Sequence, residues 1–161
     1  MTGVVKSYNI TYWNSSSPSI IAGPVRSNTA NVTLQNLTSG TNYTVSVVTI
    51  IPWGYQSTAV IGSVCTKPLS VKSPQIGAKT TNSMSLTWTQ PDEYQSSYTY
   101  RVQTNATSPS TLINNTTVSS ASATIGNLTA GETYTFLVYT ISVCNIQSDP
   151  TSITDCTRKY Y

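Results

Sequence analysis

Histidine is absent from the 161 residues, and acid is scarce, limited to Asp92, Glu93, Glu132, Asp149 and Asp155. Without histidine there is no imidazole base for a Ser-His-Asp or Cys-His nucleophile, and the usual nitrogen ligand for zinc is missing. A paired-carboxylate glycosidase or a calcium cage needs acids converging from separate elements, and residues 1–66 contain none. Asp92 and Glu93 are neighbours just after Pro91, a placement that fits a solvated turn. The eight glycines never form G-x-G-x-x-G, so a phosphate loop is missing as well. The chain reads as a non-enzyme with no catalytic residue, no metal ligands and no cofactor.

Charge of either sign is also sparse, at 8% of residues against the roughly 25% usual in soluble domains. The net charge of +3 comes from eight scattered cations, of which only Arg158 and Lys159 adjoin. That excludes the basic footprint of a nucleic-acid or anionic-membrane binder. No stretch approaches the ~20 apolar residues of a membrane span, and no charged n-region with an apolar h-region follows Met1. The expectation is an extracellular piece of a longer chain, without direct membrane insertion of its own.

Hydroxyls take the place of charge: Ser and Thr make up nearly one third of the residues. Twelve asparagines in such a chain would give about four Asn-x-Ser/Thr sequons by chance. Nine occur, at Asn9, Asn14, Asn31, Asn36, Asn42, Asn105, Asn114, Asn115 and Asn127. The excess points to a glycosylated protein of the secretory pathway. Asn114 and Asn115, being adjacent, are not expected to carry glycan together.

The string Asn-Leu-Thr-Ser-Gly-Thr-Asn-Tyr-Thr at 36–44 returns at 127–135 as Asn-Leu-Thr-Ala-Gly-Glu-Thr-Tyr-Thr, with six residues unchanged at an offset of 91. The offset persists without a gap: Val47 matches Val138, Ile50 matches Ile141, Ser57 matches Ser148, and Cys65 and Thr66 match Cys156 and Thr157. Solenoid repeats of about 20 to 50 residues cannot bury a core alone, whereas about 90 residues can. The units are therefore domains in tandem.

Residues 83–89 alternate polar and apolar through Met84, Leu86 and Trp88 and stop before Pro91, as a strand with one face in a core does. The same alternation marks strands at 8–12, 32–34, 100–103 and 134–138. No window carries a sustained helical period. The class is all-β, with strands spaced as in a sandwich.

Leu86, Trp88, Pro91, Tyr100, Val102, the L-x-x-G-x-x-Y element of Leu128, Gly131 and Tyr134, then Phe136 and Val138 together resemble a fibronectin type III domain. The resemblance implies an immunoglobulin-like β-sandwich with Trp88 as its central aromatic. It also implies a sharp corner at Gly131 and a Tyr134 hydroxyl bonded back to upstream backbone. Leu37, Gly40, Tyr43, Val45 and Val47 hold equivalent places in the first unit, where no counterpart of Trp88 precedes Tyr8. The expected architecture is tandem fibronectin type III sandwiches, the first truncated at its N-terminus. A partial domain (strands C to G) spans 1–66, a complete domain spans 67–157, and the next linker starts at 158–161. A first unit lacking strands A and B exposes Ile10, Val32, Leu34 and Val45 and is expected to be marginally stable.

Three cysteines are an odd number for an extracellular chain. Cys144 with Cys156 is the candidate disulfide, because the strands that carry them form a hairpin; against it stands register, which puts Cys144 near the loop end and Cys156 near the opposite end, where the ~7 Å Cα limit is at stake. The alternatives are that Cys65 and Cys156 fill core positions as small hydrophobes, or that Cys65 has a partner outside the sequence.

If Tyr43, Val45 and Val47 face inward with Tyr134, Phe136 and Val138, then Val48, Ile50, Leu137, Tyr139 and Ile141 form an apolar outer stripe. It is either a contact surface or is partly covered by Arg101, Gln103 and Asn9 of the adjacent strand. The loops at 52–55 and 145–150 lie where fibronectin type III domains often bind partners. Trp53 and Tyr55 are candidate contacts because aromatics anchor interfaces, with packing across the domain junction as the other role for Trp53. Asp149 is an acidic candidate outside any RGD triplet.

The resemblance implies an extracellular segment of a glycosylated cell-surface receptor or adhesion protein, a spacer that binds an extracellular protein ligand or neighbouring repeats. The sequon density and hydroxyl-rich repeats are similar to receptor-type tyrosine phosphatase ectodomains, although neither the phosphatase H-C-x-x-x-x-x-R nor the cytokine-receptor W-S-x-W-S occurs. An accessory module of a secreted enzyme and a purely mechanical linker are the alternatives.

Overall fold

The computed structural model describes residues 7–108 and 110–160. Residues 1–6 of the expected first domain and Tyr161 of the expected linker lie outside them. The chain divides into two compact units, Met1–Thr66 and Lys67–Tyr161.

The first unit contains β1 (Ser7–Asn14), β2 (Ala22–Ser27), β3 (Asn42–Ile50) and β4 (Val60–Cys65), joined in one antiparallel sheet of order β2-β1-β3-β4. The second contains β5 (Lys72–Lys79), β6 (Met84–Thr89), β7 (Thr99–Thr107), β8 (Ser110–Val118), β9 (Ser122–Ile125), β10 (Thr133–Ile141) and β11 (Thr151–Cys156). Its strands form two sheets, β11-β10-β7-β8 and β5-β6-β9. The four-stranded sheets of the two units share one topology, with β1 and β3 standing where β7 and β10 stand.

Strand alternation builds the core of the second unit. In β10 every second residue, Tyr134, Phe136, Val138 and Thr140, is buried, while the residues between them face outward. Facing them across the sandwich, β6 contributes Met84, Leu86 and Trp88 in the same period. Trp88 meets Tyr100 edge-on at 5.4 Å between ring centroids, as the ring quadrupoles favour. Burial pushes the Tyr100 hydroxyl up to about 12, with Tyr94 and Tyr98 adding to the shift. Removing such side chains from water contributes about 1.5–3 kcal/mol each.

The first unit has no such second layer among its described residues. Among its described hydrophobic residues only Ile10, Tyr43 and Ile50 are buried, Ile10 against the expectation that it is exposed. Val45 and Val47 remain partly exposed, although their repeat partners Phe136 and Val138 are at 0%. A shallow cavity of about 160 Å³ on this unit is lined by Tyr8, Ile10, Val32 and Val47, among others.

One expected strand does not form: residues 28–41 contain no strand, so the alternation at 32–34 misleads. The repeat explains why. Residues 31–34 match β9, whose ladder is made with β6. Among the described residues, the first unit has no strand in the β6 position, and without a partner ladder the segment gains nothing from extension.

Both units turn the same corner. Gly40 and Gly131 take positive φ, 58° and 75°, which is accessible to glycine at little cost. Three residues on from each glycine, the tyrosine hydroxyls accept backbone N–H groups: Thr38 N to Tyr43 Oη and Thr129 N to Tyr134 Oη, each 2.9 Å. The conserved spacing has a second purpose that the repeat alone does not reveal. Thr66 Oγ1 donates to the Thr38 carbonyl at 2.7 Å, and Thr157 Oγ1 donates to that of Thr129 at 2.6 Å. Arg158, expected in the following linker, is also tied to this unit, its N–H donating to Thr80 O and its carbonyl accepting from Gly131. Tyr134→Phe leaves the Thr129 N–H without its acceptor. It is expected to lower the stability of the second unit by about 1–2 kcal/mol and to speed exchange of the Thr129 amide, read by denaturant unfolding and NMR.

Candidate interaction surface and glycosylation sites

The connection from β3 to β4 carries the strongest candidate contact. Its base is closed by the Ile50–Gln56 bridge and by Ile51 N donating to Tyr55 O at 3.0 Å. Between them, Pro52–Gly54 form a short 3₁₀ turn in which Trp53 (φ 70°) and Gly54 (φ 84°) are both left-handed. A left-handed conformation costs a non-glycine residue on the order of 1–2 kcal/mol, and such backbone strain concentrates at functional positions. The turn holds Trp53 91% exposed and Tyr55 70% exposed. The left-handed conformation of Trp53 is not legible in the sequence.

Asp149 is held differently. Its carboxylate pairs with Lys67 at 2.7 Å, and its backbone carbonyl accepts from Ser70 Oγ and Ser148 Oγ, both at 2.8 Å. The exposed carboxylate is thus engaged within its own unit. Asp92 likewise pairs with Lys72, and exposed pairs of this kind contribute little to stability. The Asp155 carboxyl, hydrogen-bonded by Lys79 Nζ, is held below the usual carboxylate range. Among the described residues no cluster of three or more His, Cys, Asp or Glu could hold a metal, and no helix is long and apolar enough to cross a membrane.

The expected bridge between Cys144 and Cys156 is not made. Cys156 is an exposed free thiol, whereas Cys144 and Cys65 are each disulfide-bonded. Register explains the failure. Cys156 lies opposite Thr133 at one end of the β10–β11 ladder, and Cys144 lies in the turn beyond the Ile141–Gln147 bridge at the other. The strand from Thr133 to Ile141 spans roughly 26 Å at ~3.3 Å per residue, far beyond the ~7 Å Cα limit for a disulfide. Nor does Cys156 fill a core position.

The outer stripe is covered in the way the adjacent strand allows. Leu137 lies opposite Gln103 and Tyr139 opposite Arg101, and the Arg101 guanidinium sits 4.6 Å from the Tyr139 ring centroid, a favourable cation–π geometry. In the first unit Val48 lies opposite Asn9. Ile50, expected to face outward, is buried where the chain folds back to Gln56.

The nine sequon asparagines separate by environment. Asn31, Asn36, Asn115 and Asn127 are exposed, and Asn9, Asn14, Asn42, Asn105 and Asn114 are partly covered. The carboxamide oxygens of Asn9 and Asn42 are shielded from solvent without a hydrogen-bond partner. Asn14 Oδ1 accepts from the Ser16 N–H, Asn105 Oδ1 from Gln103 and Asn114 Oδ1 from Thr116. Asn36 and Asn127 occupy the same left-handed turn position, φ 57° and 58°.

Two antiparallel sheets packed with this strand order, a central tryptophan and a tyrosine corner define the second unit as an immunoglobulin-like β-sandwich module, and the first unit repeats its four-stranded sheet and its corner. The sequence model of the fibronectin type III domain matches residues 1–60 and again 69–155, and the chain belongs to the fibronectin type III family. Solved structures with the same fold include a two-domain fibronectin type III segment of chicken tenascin. It is 22% identical with a TM-score of 0.64, the match covering 98% of this chain and 87% of that one. Domains d3–d4 of the rat CD45 extracellular region match at 21% identity and TM-score 0.54, over 84% of this chain and 74% of that one. The FN1–FN3 domains of chicken CNTN1 match at 15% identity and TM-score 0.50, over 95% and 54%. A comparison with curated protein sequences returned no match.

Proposed function

We propose that the chain is an extracellular segment of a glycosylated cell-surface receptor or adhesion protein, a non-catalytic spacer that also binds a protein ligand. The observation that carries the binding role is the Pro52–Gly54 turn, which spends backbone strain to present Trp53 and Tyr55 to solvent. Large aromatics held rigidly in the open are the residue types that dominate protein interfaces. The nine sequons support the compartment, as does the likeness to a CD45 segment described as an extracellular region. Sequon density favours a receptor-type tyrosine phosphatase ectodomain as the parent type.

The test is a binding screen of the full chain against extracellular protein libraries, with Trp53→Ala and Tyr55→Ala as matched controls. Because neither side chain is packed, both variants are expected to keep the parent unfolding midpoint. Each is expected to weaken binding of the captured ligand by about tenfold or more, about 1.4 kcal/mol or above, as truncating an aromatic interface anchor does. Ligand binding that both variants leave intact rejects this loop as the contact, and a screen without any ligand favours a mechanical linker.

A further inference from the structure

We propose that Asn36 and Asn127 are the N-glycan attachment sites shared by both repeats, and that Asn9 and Asn42 stay unmodified despite their sequons. The inference rests on the extracellular reading above and narrows it to particular atoms. In the transfer step, the Asn Nδ2 bonds to the anomeric carbon of a polyprenyl-pyrophosphate-linked oligosaccharide. Nδ2 loses one proton, the sugar–phosphate C–O bond breaks, and polyprenyl pyrophosphate leaves.

The folded state decides which products of that step are compatible with a native chain. Asn36 and Asn127 are exposed, and neither carboxamide makes a hydrogen bond among the described residues, so glycan at Nδ2 displaces no interaction. Their left-handed backbone is one that asparagine tolerates better than most residues. The rest of the sequon is fixed independently of the asparagine. Thr38 and Thr129 are clamped at N–H by the corner tyrosines and at the carbonyl by Thr66 and Thr157. A branched sugar there leaves every one of these bonds in place.

Asn9 and Asn42 present the opposite case. Asn9 lies on β1, flanked by Arg26 of β2 and Val48 of β3, and Asn42 begins β3 opposite Cys65. Their carboxamide oxygens are shielded from solvent, and Oδ1 is bonded to the same carbon as Nδ2. A glycan on either carboxamide must push apart the side chains that cover it. Chains so modified would fail to reach the folded, secreted pool.

The experiment is site-resolved glycopeptide mass mapping of the full chain, secreted from a eukaryotic host behind a cleavable signal, with Asn36→Gly, Asn127→Gly and Asn9→Asp variants. Glycine keeps the left-handed corner and removes the acceptor. The expected result is glycan at Asn36 and Asn127 and none at Asn9 or Asn42. Each glycine variant loses one glycan mass with unchanged amide exchange at Thr38 or Thr129, and Asn9→Asp loses none. Glycan at Asn9 or Asn42, or bare Asn36 and Asn127 on a chain glycosylated elsewhere, overturns this assignment alone. A secreted chain with no glycan at any sequon overturns it together with the glycoprotein reading.

Discussion

Phe136→Ala is expected to remove about 3–5 kcal/mol from the second unit, a large fraction of the 5–15 kcal/mol that holds a typical domain folded. Phe136 has no exposed surface and sits at the centre of β10, between Thr104 of β7 and Ile153 of β11. From the other sheet Leu86 and Trp88 close over the same core, so the truncated side chain leaves a cavity that both layers must keep open. Denaturant unfolding is readily followed by tryptophan emission, because Trp88 is 6% exposed and Trp53 is 91% exposed already. Trp88 is the second unit's one tryptophan, the half-buried Trp13 belonging with Trp53 to the first, so the shift on unfolding the second unit comes from the buried Trp88 indole. A Phe136→Leu companion, which refills most of the volume, is expected to recover more than half of the loss. An unchanged midpoint for Phe136→Ala would mean that the two sheets do not pack as described.

The parts of this fold that were legible in the sequence are those fixed by local stereochemistry. Alternation through Met84, Leu86 and Trp88 marks β6 because successive side chains of a strand point to opposite faces. The L-x-x-G-x-x-Y element is readable because its glycine must be left-handed and its tyrosine hydroxyl needs an orphan amide, which Thr38 and Thr129 supply. What failed depends on partners distant in sequence. Residues 32–34 alternate as well as β9 does, but alternation cannot report that the ladder partner is missing. The Cys144–Cys156 pairing fails on register, an obstacle the hairpin already implies and whose size the β10–β11 ladder supplies. For the candidate site, Trp53 and Tyr55 were identified by residue type, whereas the strained turn presenting them needed backbone angles. The match of Thr66 with Thr157 is visible as repetition, whereas their hydroxyls closing the corner depends on partners 28 residues away.

Backbone amides of β1 and β3 are expected to exchange with solvent at least a hundredfold faster than those of β7 and β10, their counterparts in the second unit. The two pairs have the same topology and comparable ladders, so hydrogen bonding alone predicts equal protection. The difference lies in what lies over the inner face. Met84, Leu86 and Trp88 cover Val102, Phe136 and Val138 in the second unit, whereas the described residues of the first unit leave Val45 and Val47 partly in water. At about 25 cal/mol per Å² of apolar surface, losing such a layer amounts to several kcal/mol, and every 1.4 kcal/mol is tenfold in the opening equilibrium. Val47 and Val138 make the comparison chemically matched, being the same residue at the same repeat position. Val138→Ala is expected to cost about 2 kcal/mol and Val47→Ala less than half of that. Hydrogen exchange by mass spectrometry reads both units in one sample, and equal protection of β1 and β7 would sink the argument. Faster exchange in the first unit would show that the shared sheet supplies the pattern of the fold, while most of its free energy comes from the layer packed against it.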